Sequence, residues 1–111
     1  MPYIMVDVES DGRIPGDYSM ICFGRTLFVS DNNGFDWQFI NWYFHHFIGA
    51  NPFGFSSTNL GSLYKGLAKD MSVNFKHLRK TAHTHNPVDD AKGNAEALLQ
   101  MKEMGLKISF A

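Results

Sequence analysis

Tyr3-Ile4-Met5-Val6-Asp7-Val8-Glu9 is the stretch on which the fold turns. A short apolar run bounded by turn residues predicts a buried strand over Tyr3 to Val8. Alternate residues of a strand share a face, so Asp7 and Glu9 project together from its end. Two ionised carboxylates that close repel each other and are rarely left without a cation or a shared proton. Hard oxygen ligands on a rigid strand suit Mg²⁺ or Mn²⁺. The competing reading is a strand that runs into an acidic turn, Asp7 to Asp11, and simply meets solvent.

Outward from this strand, turn chemistry and apolar spacing divide the chain. Asp11-Gly12 through Pro15-Gly16-Asp17 is a turn-rich connection, and Tyr18 to Phe23 predicts a second strand, antiparallel to the first because the return is short. Thr26 to Ser30 is a third short β-branched and aromatic run. Asp31-Asn32-Asn33-Gly34 supplies turn and capping residues. A helix follows from about Phe35 to Ile48, its apolar residues Phe35, Phe39, Ile40, Tyr43, Phe44 and Phe47 falling at three- and four-residue steps. Gly49 to Gly54 ends it. Leu60, Leu63, Tyr64 and Leu67 predict a helix ending near Asp70, and Phe75 to Lys80 a short helix or loop. Pro87 suits an entry turn. The last helix runs from Asp89 to about Met104, with Ala91, Ala95, Leu98 and Leu99 inward and Gly105 as its stop. Leu106 to Phe110 is a final short strand or tail.

With 111 residues, no repeat and no linker, residues 1–111 make a single α/β domain. An apolar fraction of 44%, with 10 Phe, argues for a folded globule and against disorder. No apolar run reaches the length of a membrane span and no signal peptide is visible, so no membrane partner is expected. Cys22 stands alone, which excludes an intrachain disulfide and fits a reducing cytoplasm. In its apolar strand it reads as a small core residue. The formal charge of −1 does not advertise nucleic-acid binding over the whole surface.

Three more residues carry chemistry. Asp36 lies at the start of the aromatic helix and Asp90 at the start of the last one, five residues after His85. Each acid has two readings, a metal ligand or a complement to the helix N-terminal dipole, and His85 alone reads as a surface or turn histidine. His83-Thr84-His85 resembles a metal-ligand pair, but neither Cys nor a second His cluster completes a zinc site at suitable spacing.

Taken in order, these residues resemble the DnaQ-like, DEDDh-type 3′–5′ exonucleases of the RNase H-like superfold. Asp7-Val8-Glu9 matches their D-x-E at the end of the first strand. Asn32-Asn33-Gly34-Phe35-Asp36 matches N-x-x-x-D with an aromatic before the acid, and His85 through Asp90 matches H-x-x-x-x-D entering a helix. The opening Asp7 to Gly12, Pro15 to Met20, and Gly61-Ser62-Leu63-Tyr64 look most like a small bacterial and phage exoribonuclease-like branch. The resemblance implies an RNase H-like mixed sheet with flanking helices. It also implies two Mg²⁺ (or Mn²⁺) ions held by Asp7, Glu9, Asp36 and Asp90, and His85 as general base. Two such ions stabilise an in-line phosphoryl displacement, and an imidazole, titrating at about 6.5, is suited to proton removal near neutrality. Nucleoside 5′-monophosphates would leave the 3′ end of single-stranded RNA or DNA, with RNA ahead because of the branch. Ser10, Asp11 and Gly12 fall where relatives bring backbone close to the terminal nucleotide.

One interval departs from the family. Asp36 follows Asp7 by only 29 positions, so the sheet is reduced by about one strand and one helix. The loss uncovers a sheet edge and an apolar face, which invites a homo-oligomer. It also supports an alternative, a catalytically impaired remnant acting as a nucleic-acid-binding or oligomeric interaction module. Between Lys65 and Lys80, five basic residues face the single acid Asp70. Of these, Lys76, Arg79 and Lys80 either track a phosphate backbone or form a solvated face. Phe35, with Phe53 or Phe55, either stacks on bases or packs in the core.

Overall fold

A computed structural model describes residues 3–5 and 27–109. Along them run β1 (Tyr3–Met5), β2 (Leu27–Ser30), α1 (Asn33–Ile48), β3 (Thr58–Asn59), α2 (Leu60–Ala68), a 3₁₀ turn (Lys76–Leu78) and α3 (Pro87–Glu103). The strands form one sheet in the order β1-β2-β3 and both pairings are parallel, Met5 opposite Val29 and Ser30 opposite Asn59. A parallel partner requires a crossover, and α1 supplies it between β2 and β3. The expected strand over Tyr18 to Phe23, with Cys22, lies outside the described residues, as does Phe110.

β2 is buried on both faces, and its alternation sorts the two sides of the sheet. Val29 joins Leu60, Tyr64, Phe75, Ala97, Leu98 and Met101 in the main core beneath α2 and α3. Phe28, fully buried, meets Trp37 and Phe53 edge-to-face at centroid distances of 5.3 Å each, and Phe53 meets Phe44 at 5.9 Å. Removing a buried aromatic of this kind costs about 3–5 kcal/mol.

Helix ends follow their capping chemistry. Asn59 accepts from the Ser62 N–H at 3.0 Å at the start of α2. Gly49 closes α1 with a φ of 75°, a left-handed conformation that glycine adopts without Cβ strain. The helix expected near Asp70 stops at Ala68, capped by Lys69, and the uncertain segment over Phe75 to Lys80 resolves into the 3₁₀ turn. β3 is new to the sequence reading, being only two residues long.

Two packing expectations are corrected. The aromatic stripe of α1 does not face a core along its length. Asp36 is its buried residue. Of the expected stripe, Phe39, Ile40, Tyr43 and Phe44 are half-buried and Phe35 and Phe47 are 49% and 64% exposed, while Trp42 and Ile48, outside the stripe, are also exposed. In α3 the buried stripe is Asp90, Gly93, Asn94, Ala97, Leu98 and Met101: Leu98 is inward as expected, whereas the half-buried Ala91 and Ala95 give way to the residues just before them. Leu99 is about half exposed. Small Gly93 and polar Asn94 belong to that stripe because they face the chain segment ahead of the helix and not apolar side chains. The tail after Gly105 has no regular structure, although Leu106 and Ile108 pack against the core. No helix among the described residues is long and apolar enough to cross a membrane.

Candidate metal and nucleic-acid site

Asn86 opens α3 by accepting from the N–H groups of Val88 and Asp89, with Pro87 in the first helical turn where its missing N–H costs nothing. This entry fixes the direction of the next residues, and Asp90 turns inward with 3% of its surface exposed.

The segment ahead of the helix folds back over it and is tied down at intervals. Arg79 donates from Nε and Nη2 to Asn94 Oδ1 at 3.1 and 2.7 Å. The Thr81 N–H donates to Glu96 Oε1 at 3.0 Å, and the Thr84 N–H to Asp90 Oδ1 at 3.0 Å. The Thr84 hydroxyl donates to Asp89 Oδ2 at 2.8 Å. Hydrogen bonding from Thr81, its side chain first, holds Glu96 below the ordinary carboxylate range, and Lys92 and Lys80 add to this. Gly93 is what lets the segment lie so close, since a Cβ there would stand 3.2 Å from the Thr81 carbonyl oxygen.

One oxygen of Asp90 is thus committed to Thr84. The other, Oδ2, is buried and lies 3.0 Å from His83 Nε2, a close approach without the alignment of a hydrogen bond. His85 sits at a φ of 61°, a left-handed conformation in which His is tolerated better than most residues. That turn brings its ring to 4.5 Å from the His83 ring, centroid to centroid. His83, His85 and Asp90 each offer a ligand atom, all within 4.8 Å of one another.

Asp36 stands outside this trio, buried at 3% exposure in the first turn of α1. Arg79 connects the two regions. Besides binding Asn94, its Nη2 pairs with Asp31 Oδ2 at 3.1 Å, and its guanidinium lies 4.9 Å above the Phe75 ring. Asp31 follows the carboxyl end of β2, and Asn94 is one turn beyond Asp90 on the same face of α3. Arg79 therefore ties the turn ahead of α1, at the carboxyl end of β2, to the buried face of α3 one turn beyond Asp90. The carboxyl edge of parallel strands is where ligand sites of open α/β sheets form. β1 runs in the same direction as β2, so its carboxyl end lies at this edge.

The structure brings His85 and Asp90 together and adds His83, which sequence reasoning set aside. The visible signal was the pairing of His83 with His85; the missing partner was Asp90, seven positions away. Asp7, Glu9, Ser10, Asp11 and Gly12 lie outside the described residues. Lys76 and Lys80 are exposed. Arg79 is not an open phosphate ligand, because its side chain is 9% exposed and engaged with Asp31 and Asn94. Phe35 is about half exposed and packs edge-to-face on Phe39 at 5.1 Å. Phe53 is buried in the aromatic cluster, whereas Phe55 projects almost wholly into solvent.

No family model matches the chain. It is similar to the Escherichia coli protein named 3′-5′ DNA exonuclease Cap18, with 35% identity over 77 residues that cover 63% of this chain and 41% of the relative. The chain therefore spans under half the length of this curated relative.

Proposed function

We propose that the chain carries the site of a divalent-metal-dependent 3′–5′ exonuclease of the DEDDh type, on a reduced RNase H-like sheet. The observation that supports it most directly is the Asp90 carboxylate, with one oxygen held by the Thr84 N–H and the other buried and facing imidazole. A buried carboxylate oxygen with no aligned donor suits a cation. The similarity to a protein named as a 3′–5′ DNA exonuclease points to the same chemistry.

In this reading Asp7, Glu9, Asp36 and Asp90 hold two Mg²⁺ or Mn²⁺ ions. The ions, when bound, supply electrostatic stabilisation for phosphodiester hydrolysis. His85 removes the proton of the attacking water. Thr84 keeps Asp90 in one orientation, and Asn86 with Pro87 keeps the helix entry that places it. Exposed Lys76 and Lys80 attract the phosphate backbone, and Phe35 stacks on a terminal base. Ser10, Asp11 and Gly12 approach the terminal nucleotide with their backbone. The substrate is a single-stranded 3′ end. The branch resemblance favours RNA and the relative's name favours DNA, so both sugars belong in the test. The exposed aromatics of α1 support self-association of this protein, and lone Cys22 suits a reducing cytoplasm.

The test is product release from 5′-labelled RNA and DNA oligomers with Mg²⁺, with Mn²⁺ and with chelator, beside Asp7→Ala and Asp90→Asn proteins. A metal-dependent ladder shortening from the 3′ end and absent in both variants is expected. No ladder from folded protein would overturn the nuclease in favour of the remnant that binds nucleic acid without cutting it.

A further inference from the structure

We propose that His83, His85 and Asp90 form a two-histidine, one-carboxylate site for Zn²⁺, and that its occupation switches the nuclease off. Nothing in the exonuclease motif requires His83. Its position follows from the path of the segment over α3, which the bonds of Thr81 to Glu96 and Thr84 to Asp90 hold in place.

The chemistry of the donors selects the metal. Imidazole nitrogen is a preferred ligand of Zn²⁺ and a poor one for Mg²⁺, which favours oxygen. Zinc bonds of about 2.0–2.1 Å put neighbouring ligands of a tetrahedron about 3.3–3.4 Å apart. The 3.0 Å between His83 Nε2 and Asp90 Oδ2 already approaches that edge, and the widest separation in the trio, up to 4.8 Å, closes by rotation of exposed imidazoles. Asp90 Oδ2 adds a second, independent indication. It is a buried carboxylate oxygen without an aligned hydrogen bond, facing the His83 imidazole. Three protein ligands leave a fourth position open to water, the pattern of an accessible zinc site.

The inhibitory consequence rests on the nuclease reading above; the binding does not. Zn²⁺ held by this trio occupies the carboxylate that Mg²⁺ needs and the imidazole that takes the proton. The two metals then compete for Asp90, and zinc wins by virtue of the histidines.

Binding and inhibition are measured separately, on the whole chain freed of metal by chelator. Calorimetric titration with Zn²⁺ and the visible spectrum of added Co²⁺ report the site without any substrate. The expected result is one Zn²⁺ per chain and an intense tetrahedral-type Co²⁺ band in the parent protein. Both weaken by about tenfold or more in His83→Ala, loss of a ligand costing at least as much as loss of a supporting group, and persist in His46→Ala, a control on the exposed end of α1. Micromolar Zn²⁺ then suppresses Mg²⁺-supported cleavage by the parent, and suppresses it far less in His83→Ala, each protein being compared with its own zinc-free rate. Absence of Zn²⁺ binding by the parent, or equal binding by a folded His83→Ala, would overturn the site. Zinc binding that depends on His83 in a protein with no nuclease activity sustains the site and removes the nuclease reading alone.

Discussion

Arg79 Nη2 stands 3.1 Å from Asp31 Oδ2, a pairing across 48 positions that ties the segment ahead of α3 to the carboxyl end of β2. The same guanidinium holds Asn94, so one side chain joins the regions that present Asp36 and Asp90.

Arg79 is accordingly a clasp, and the basic residues around it divide into two kinds. Arg79→Ala leaves the buried Asn94 amide without its donor and is expected to cost about 2–3 kcal/mol in urea unfolding. Lys76→Ala and Lys80→Ala should change stability by no more than about 0.5 kcal/mol. Each should instead lower the salt dependence of oligonucleotide binding by about one phosphate contact. Equal stability losses at all three positions would contradict this division.

For the histidine and carboxylate, the backbone dictates the informative variants. Since His85 has a φ of 61°, Ala at that position adds backbone strain to the loss of the imidazole, whereas Asn tolerates the conformation. His85→Asn should keep the thermal midpoint and reduce cleavage by about 10²- to 10⁴-fold, the range of a lost general base. Asp90→Asn retains an acceptor for the Thr84 N–H and should remove metal-dependent cleavage by about a hundredfold or more. Full cleavage by either folded variant would exclude its assigned role.

Gly93 gives a test of how the site segment is seated. In a free helix Ala is favoured over Gly by about 1 kcal/mol. Here the new Cβ meets the Thr81 carbonyl and the Arg79 side chain, each at 3.2 Å. Backbone cannot give way as a flexible side chain can, so Gly93→Ala should destabilise by about 1–3 kcal/mol. Faster hydrogen exchange at the Thr81 and Thr84 amides should accompany it; a stabilised variant with unchanged exchange would show that the segment is not pressed against α3.

Acid should loosen the same segment. Folding lowers the pKa of Glu96, chiefly through hydrogen bonding from Thr81. A carboxylate with a depressed folded pKa contributes its stability above the unfolded value and loses it as pH falls through the folded one. The Thr81 amide should therefore stay protected at neutral pH and lose protection below the ordinary glutamate range, and Glu96→Gln should flatten that dependence. Asp70, lowered by its hydrogen bonds from Ser72, should show the same sign in its own turn.

Local chemistry made much of the chain legible beforehand. The three helices announced themselves through apolar spacing, helped by the Pro87 entry turn and the glycines after α1 and α3, because capping and periodicity act over a few residues. His85 and Asp90 were legible as candidates only through their place in the ordered motif, since each alone also reads as a turn or helix-start residue. β3 was not, since two residues cannot display an alternation.

What the sequence by itself determined was where the three helices lie, to within a few residues, and the residue types capable of metal chemistry. Only the tertiary structure decided which neighbours those residues meet. It buried Gly93 and Asn94 of α3 against a returning segment, left Phe35, Trp42 and Phe47 of α1 exposed, spent Arg79 on Asp31 and Asn94, and set His83 beside Asp90. Helix phase, burial and charge pairing depend on surfaces brought together from distant parts of the chain, and no local spacing encodes the path that brings them there.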